Sequence, residues 1–338
     1  MRQLVLHLGP QKTGTTSLQA WLELNRERLR AQGMYYPDVF LQSFPPRISL
    51  SIIGDKAIQV RVPRDAQHLL AWTLGGQVCS PTADVVWDQL LRELGDIDAS
   101  TIVISSEHFI RLEEQAIKFV RDAFRNFRVT IIYYLRNPAQ RIASGYAQFI
   151  KGWAGGTGSF GEFAAEHYAE VYRDETKLLT WKTTFSQNAE LKVRLFDRII
   201  TSPGLISDFA DAIGANLAEL LHPAKIGRMN TSPGKEALAS LRLLNQLENR
   251  PTSRNLLRRP LKRLRRIVST HPQAPTARLL AMATHLTKTN DLISPVEWRE
   301  IIERARKQWS EELMSQLLCA EDLKWFHGEV FTNRPLRK

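Results

Sequence analysis

Two cysteines, Cys79 and Cys319, are all that this 338-residue chain contains. Two thiols so far apart make neither a disulfide framework nor a cysteine metal cluster, and both are expected as reduced core residues. No apolar run approaches the ~20 residues that a membrane-spanning helix needs. The apolar stretch at 3–8 is shorter than a signal-peptide core, so a cytoplasmic protein is the expectation. No repeat of fixed period recurs, and no low-complexity tract replaces a core.

What is present points to acidic partners. The chain is 43% hydrophobic and 24% charged, enough apolar surface for a sizeable core, and its formal net charge is +11. Such a surplus favours nucleotides, anionic glycans, anionic lipids or nucleic acid. Most of it is local: residues 250–266 carry eight Lys or Arg and no acid.

The chain alternates apolar strands with helices. Residues 3–8, 101–105, 129–135 and 191–196 read as strands, and 112–126, 138–151 and 204–213 as helices. Another helix follows the first strand, capped by Thr15 or Thr16. Its face carries Leu18, Leu22, Asn25 and Leu29, and Gly33 ends it. Residues 40–80 show no clear period and read as irregular with some helix. Beyond about 216 only helices are visible. The expected fold class is therefore α/β, a parallel β-sheet flanked by helices. A core over 1–215 would carry a helical C-terminal extension, 216–338, packed on the same domain.

The first strand runs into Gly9-Pro10-Gln11-Lys12-Thr13-Gly14-Thr15-Thr16-Ser17. A helix start leaves backbone N–H groups unpaired and carries partial positive charge. Gly14 permits close approach of the backbone, Lys12 adds a full charge, and the threonines and Ser17 add hydroxyls. Together they suit a phosphate or sulfate. The turn is not a Walker A loop, in which Lys directly follows the second Gly. Nor does a strand end in the Asp that would hold Mg²⁺ in a P-loop kinase; the second strand runs into Ser105-Ser106-Glu107-His108.

A second stretch, IIYYLRNPAQRIASGY (131–146), puts Arg136 at a strand end, Pro138 at a helix start and Ser144 eight residues after the arginine. Ligands of open parallel sheets sit at the C-terminal strand ends, so Lys12 and Arg136 should share one crevice. A ligand with two separated anionic groups fits them better than a triphosphate.

Both stretches resemble the nucleotide-binding motifs of the PAPS-dependent sulfotransferases, in particular the carbohydrate branch and its bacterial relatives. Pro10, Lys12, Gly14, Thr15 and Thr16 match the loop that holds the 5′-phosphate end of 3′-phosphoadenosine 5′-phosphosulfate (PAPS). Arg136, Pro138 and Ser144 match the 3′-phosphate motif. The resemblance covers residues 3 to about 150 and implies the P-loop NTPase-like sulfotransferase fold. It also implies sulfuryl transfer from PAPS to a hydroxyl or amine of a carbohydrate or glycolipid. In that reading Lys12 stabilises the leaving phosphate, and Gln11 and Thr13 through Ser17 complete the 5′ site. No metal is implied, and no metal constellation is visible in the sequence.

An acceptor's proton needs a base. The family uses His or Glu, and Glu107 and His108 both follow the second strand. Strand alternation would turn only one of them to the crevice. The resemblance favours Glu107, with His108 and Asp38 as the other candidates; the bland reading of His108 is a structural histidine. Family members also bring a late basic loop over the 3′-phosphate, for which Arg228, with Asn230 and Ser232, is the candidate.

Other features read as structural. GTGSFG (156–161) follows a helix rather than a strand, so it is no dinucleotide motif; it reads as a mobile loop or a connector. Arg141 is expected on the surface, and His7, Trp153 and Trp181 in the core. Residues 258–268 form a basic amphipathic pattern suited to an anionic membrane surface or an acidic glycan. Without interleaved aromatics, nucleic acid is not expected. Two rival functions remain: a nucleotide- or glycan-binding protein that lost the base, and a P-loop kinase, which the missing Walker lysine and Mg²⁺ aspartate argue against.

Overall fold

The computed structural model describes residues 1–37, 47–53, 56–62, 67–76, 83–152, 156–186, 189–221, 235–248, 263–264, 268, 295–309 and 311–326. Its strands are β1 (Gln3–His7), β2 (Met34–Tyr35), β3 (Arg47–Ile53), β4 (Lys56–Val62), β5 (Thr101–Ser105), β6 (Arg128–Leu135) and β7 (Ala189–Leu195). Its first nine helices are α1 (Thr15–Leu24), α2 (Arg26–Ala31), α3 (His68–Leu74), α4 (Ala83–Asp96), α5 (Glu114–Ala123), α6 (Pro138–Lys151), α7 (Phe160–Phe185), α8 (Phe196–Ile199) and α9 (Leu205–Ile213). Later described helices are α10 (Lys235–Glu248), α11 (Pro295–Gln308), α12 (Glu311–Leu317) and α13 (Ala320–Trp325). The protein is thus α/β with a helical C-terminal region, as its pattern predicts. None of the described helices is long and apolar enough to cross a membrane.

Two compact units interleave in sequence. One comprises Met1–Asn137, Arg173–Met229 and Glu311–Val330; the other comprises Pro138–Tyr172, Asn230–Ser310 and Phe331–Lys338. Neither is one continuous stretch of chain.

The first unit holds a five-stranded parallel sheet in the order β2-β5-β1-β6-β7. Strands covered on both faces must be apolar on both. β5 is buried at every residue and β6 at all but its first. The margins differ, as sheet edges must: β2 has two residues, and β7 alternates charged Glu190, Lys192 and Arg194 with apolar Leu191, Val193 and Leu195. One face of the sheet, through Val5, Val103, Ile132 and Tyr134, packs on Leu18, Trp21 and Leu22 of α1 and on Phe209 and Ile213 of α9. Tyr134 donates a 2.8 Å hydrogen bond to buried Asp208, which also accepts from Arg194 at 3.0 Å. The Tyr134 hydroxyl and the Asp208 carboxylate on this face are thereby satisfied.

The strand order fixes where a ligand can enter. The chain leaves β1 toward β2 on one side of the sheet, and leaves β6 toward β7 on the other. Connections diverge between these neighbouring strands, and such a switch point opens a crevice at their C-terminal ends. The Lys12 turn follows β1 and Arg136 follows β6.

Three local expectations are corrected. The helix after β1 is not continuous to Gly33 but breaks between α1 and α2 at Asn25. The buried Asn25 side chain donates to the Trp21 carbonyl at 2.9 Å and accepts from the Leu221 amide at 2.7 Å. A side chain that competes for backbone groups interrupts a helix. Gly14 in the left-handed conformation, not Thr15 or Thr16, is the N-cap of α1, and no side chain caps it. Within 40–80, β3 and β4 form an antiparallel hairpin, separate from the main sheet, and α3 follows.

The remaining expectations are mixed. Cys319 is free but exposed rather than in the core; Cys79 lies outside the described residues. Trp181 is fully buried, as predicted, and Trp153 lies outside the described residues. In the second unit, Arg141 on α6 is buried instead of on the surface. The GTGSFG stretch is a pinned connector there. Tyr146 donates to the Gly158 carbonyl at 3.0 Å, and Asn245 donates to the Gly156 carbonyl at 2.9 Å. Ser159 and Glu162 exchange hydrogen bonds as a capping box that opens α7. Of 258–268, only 263, 264 and 268 are described, with Arg263 exposed and Val268 buried.

Replacing Asn25 with alanine strands the Leu221 amide in a buried setting. Asn25→Ala is expected to lower stability by about 1–3 kcal/mol in urea unfolding. An unchanged midpoint would show that the asparagine does not hold this junction.

Candidate functional site

The turn after β1 is shaped by two left-handed residues, Lys12 at φ 73° and Gly14 at φ 76°. A lysine there carries strain of roughly 1–2 kcal/mol, and such outliers concentrate at functional positions. Left-handed residues on either side of Thr13 can turn successive amides toward one concavity, where an anion fits. Gly14 is dictated twice over: besides its φ, a Cβ on it would meet Leu205 of α9 at 2.3 Å. The close approach it permits is to the protein's own helix.

The hydroxyls of the turn divide. Thr13 is buried and donates to the Pro10 carbonyl at 2.7 Å, so its side chain closes the turn instead of offering a donor. Thr15 is also buried, and its Oγ1 lies 2.6 Å from where a Cβ on Gly9 would sit, beside Nε2 of His7 at 2.7 Å. Neither atom has a hydrogen-bond partner. Thr16 is exposed, and Gln11, Lys12 and Ser17 are half-buried. These four side chains are the ones the turn leaves accessible, beside the first amides of α1.

Arg136 closes the other side. Its guanidinium donates to the Lys12 carbonyl, across 124 residues of sequence. It lies over the Phe196 ring at 5.2 Å and its Nε is 3.9 Å from Asp197. Asp197 also accepts from the Asn137 amide at 2.6 Å, and burial pushes its carboxyl above the usual range. β6 thus delivers the arginine, and Phe196 and Asp197 of α8, immediately after β7, hold it. Pro138 is the first residue of α6, as predicted, and Ser144 lies half-buried on that helix, in the second unit.

On the opposite flank, the β1–β5 ladder continues past its last pair, His7 with Ser105, through a hydrogen bond from the Ser106 amide to the His7 carbonyl. Adjacent strands lie about 4.8 Å apart, so the turn at 106–108 emerges beside the turn of Lys12. The expectation that only one of Glu107 and His108 faces inward is corrected: both lie on a turn after the strand, where alternation no longer applies. They converge with His68 of α3, a residue that the sequence pattern did not single out. His68 Nδ1 lies 2.7 Å from Ser106 Oγ, and the rings of His68, His108 and Trp72 meet at 5.0–5.7 Å. Burial brings His68 and His108 each down to about 4, and in His108 the cost of a second proton beside His68 and the Arg111 charge add to it. Both imidazoles are therefore neutral at neutral pH. Asp38, Arg228, Asn230 and Ser232 lie outside the described residues.

Searched against models of known families, the chain matches none. A protein of Archaeoglobus fulgidus, described only as uncharacterized, is 30% identical over 143 residues, 41% of this chain. The match spans 36% of that relative's length, about a third.

His7 gives the region a pH dependence. Fully buried between the Tyr134 and Phe209 rings, with Nδ1 2.9 Å from Ser105 Oγ, it is held down to about 3 by burial. The unfolded chain, with histidine near 6.5, binds that proton more readily, so stability is full above 6.5 and falls as pH drops toward 3. Urea unfolding is expected to show wild type losing up to roughly 1 kcal/mol per pH unit more than His7→Gln over this window. Equal slopes would contradict the assignment.

Proposed function

We propose that this chain is a sulfotransferase, moving the sulfuryl group of PAPS to a hydroxyl or amine of a carbohydrate or glycolipid. The observation that carries the reading is the bond from Arg136 to the Lys12 carbonyl at a switch point of the sheet. It joins the two stretches that resemble the family's nucleotide motifs. The accessible cradle of Gln11, Lys12, Thr16 and Ser17 would take the 5′-phosphosulfate end, and Arg136 the 3′-phosphate. A guanidinium already oriented by Phe196 and Asp197 loses little freedom on binding.

In the reaction, the acceptor oxygen forms a new bond to sulfur as the bond from sulfur to the phosphate oxygen breaks. Negative charge grows on that leaving oxygen. The Lys12 ammonium and the amides at the start of α1 meet it without reorganising. The acceptor's proton passes to Glu107 or His108, beside the turn, and adenosine 3′,5′-bisphosphate departs. The basic stretch at 250–266 would draw an anionic glycan or membrane-borne acceptor toward the protein.

The test is release of adenosine 3′,5′-bisphosphate from PAPS with a panel of oligosaccharide and glycolipid acceptors. Lys12→Ala is expected to lower kcat by about 10²–10³. One of Glu107→Gln and His108→Gln should lower it by about 10²–10⁴, with the other within a few-fold of wild type. Nucleotide binding without transfer to any acceptor, or an undiminished rate in Lys12→Ala, would overturn the reading.

A further inference from the structure

His68, Glu107 and His108 form a cluster whose use need not end with proton transfer. Each offers one ligand atom, and the three atoms lie within 4.8 Å of one another. Ligands of a tetrahedral zinc ion at ~2.0–2.1 Å stand about 3.4 Å apart, so an ion would draw these side chains inward by about an ångström or less. Two rings and a carboxylate of this kind leave a fourth position open.

The surroundings fit a cation site in three further ways. Nδ1 of His108 is buried without a hydrogen-bond partner, a ring atom that the fold leaves unsatisfied. His68 is braced through Nδ1 by Ser106 Oγ at 2.7 Å, which leaves Nε2 to ligate; such outer partners fix the tautomer and orientation of metal-binding histidines. The same Ser106 Oγ accepts from the His108 amide at 3.2 Å, and Trp72 packs on both rings, so the two imidazoles are held from separate elements. Imidazole ligands favour zinc and its first-row neighbours over magnesium or calcium, which take oxygen.

We propose that His68, Glu107 and His108 bind a divalent first-row transition cation of the zinc class, with one coordination position left open. The inference goes beyond sulfuryl transfer and stands whether or not PAPS is the donor. Because Glu107 and His108 are also the proton-acceptor candidates, a bound cation competes with proton acceptance here, which falls to the metal-free protein.

The test uses the 338-residue chain freed of metal by chelation and titrated with Co²⁺, followed by its visible absorption and by competition with Zn²⁺. Wild type should saturate at one equivalent. His68→Ala and His108→Ala should weaken binding by at least about 100-fold, and Ser106→Ala by about tenfold. His68→Gln and His108→Gln, checked by circular dichroism, provide folded variants if the alanines unfold. A wild type without a saturable signal, or glutamine variants that bind as wild type does, would overturn the proposal. Binding of adenosine 3′,5′-bisphosphate is measured on the same samples; its failure would count against the sulfotransferase reading alone.

Discussion

A hydrogen bond from a strand-end arginine to a strained backbone carbonyl organises this site. Arg136 leaves β6 and donates to the carbonyl of Lys12, in the left-handed turn that follows β1. With that link in place, a lysine in a conformation it would otherwise avoid is held beside the start of α1, and two cationic side chains share one end of the sheet. Phe196 and Asp197, in α8 directly after β7, keep the guanidinium in position. Three strands therefore contribute to one small electrostatic arrangement.

The sheet makes this arrangement possible. β1 lies between β5 and β6, so the turns that follow all three emerge side by side. Buried polar groups near the strand ends reinforce the ladder: His7 meets Ser105, and the Ser105 amide donates to Gln67 at 2.6 Å. Gln67 immediately precedes α3, which brings His68 to the turn of Glu107 and His108. A stretch of sequence with no visible period thereby supplies part of the site.

Much of the fold was legible because two-sided burial leaves a strong mark. TIVIS and VTIIYYL carry only apolar, aromatic and hydroxyl side chains, with no charge, and they are the strands buried almost throughout. The Lys12 turn and the Arg136 stretch were legible for another reason, since their chemistry lies in short contiguous segments. What escaped depends on partners distant in sequence. Asn25 looked like one more helical position, yet its bond to the Leu221 amide breaks the helix. His68, Phe196 and Asp197 gain meaning only when β5, β6 and β7 are in register. The hairpin at 47–62 was the readable omission, for RISLSII and KAIQVRV flank Gly54-Asp55 with partial alternation. On sequence alone Thr13 and Thr15 read alike as ligand donors; Thr13 donates inside the turn to the Pro10 carbonyl, whereas Thr15 is buried with its Oγ1 unpartnered.

The proposed function requires this end of the sheet to recognise two separated anionic groups on one nucleotide. Calorimetric titration with adenosine 3′,5′-bisphosphate, 5′-AMP and ATP addresses it most directly, on wild type and on Arg136→Ala with folding verified. The bisphosphate is expected to bind wild type about 10–100-fold more tightly than 5′-AMP, and Arg136→Ala to abolish the difference. Preference for ATP, or equal selectivity in the variant, would contradict the proposed function.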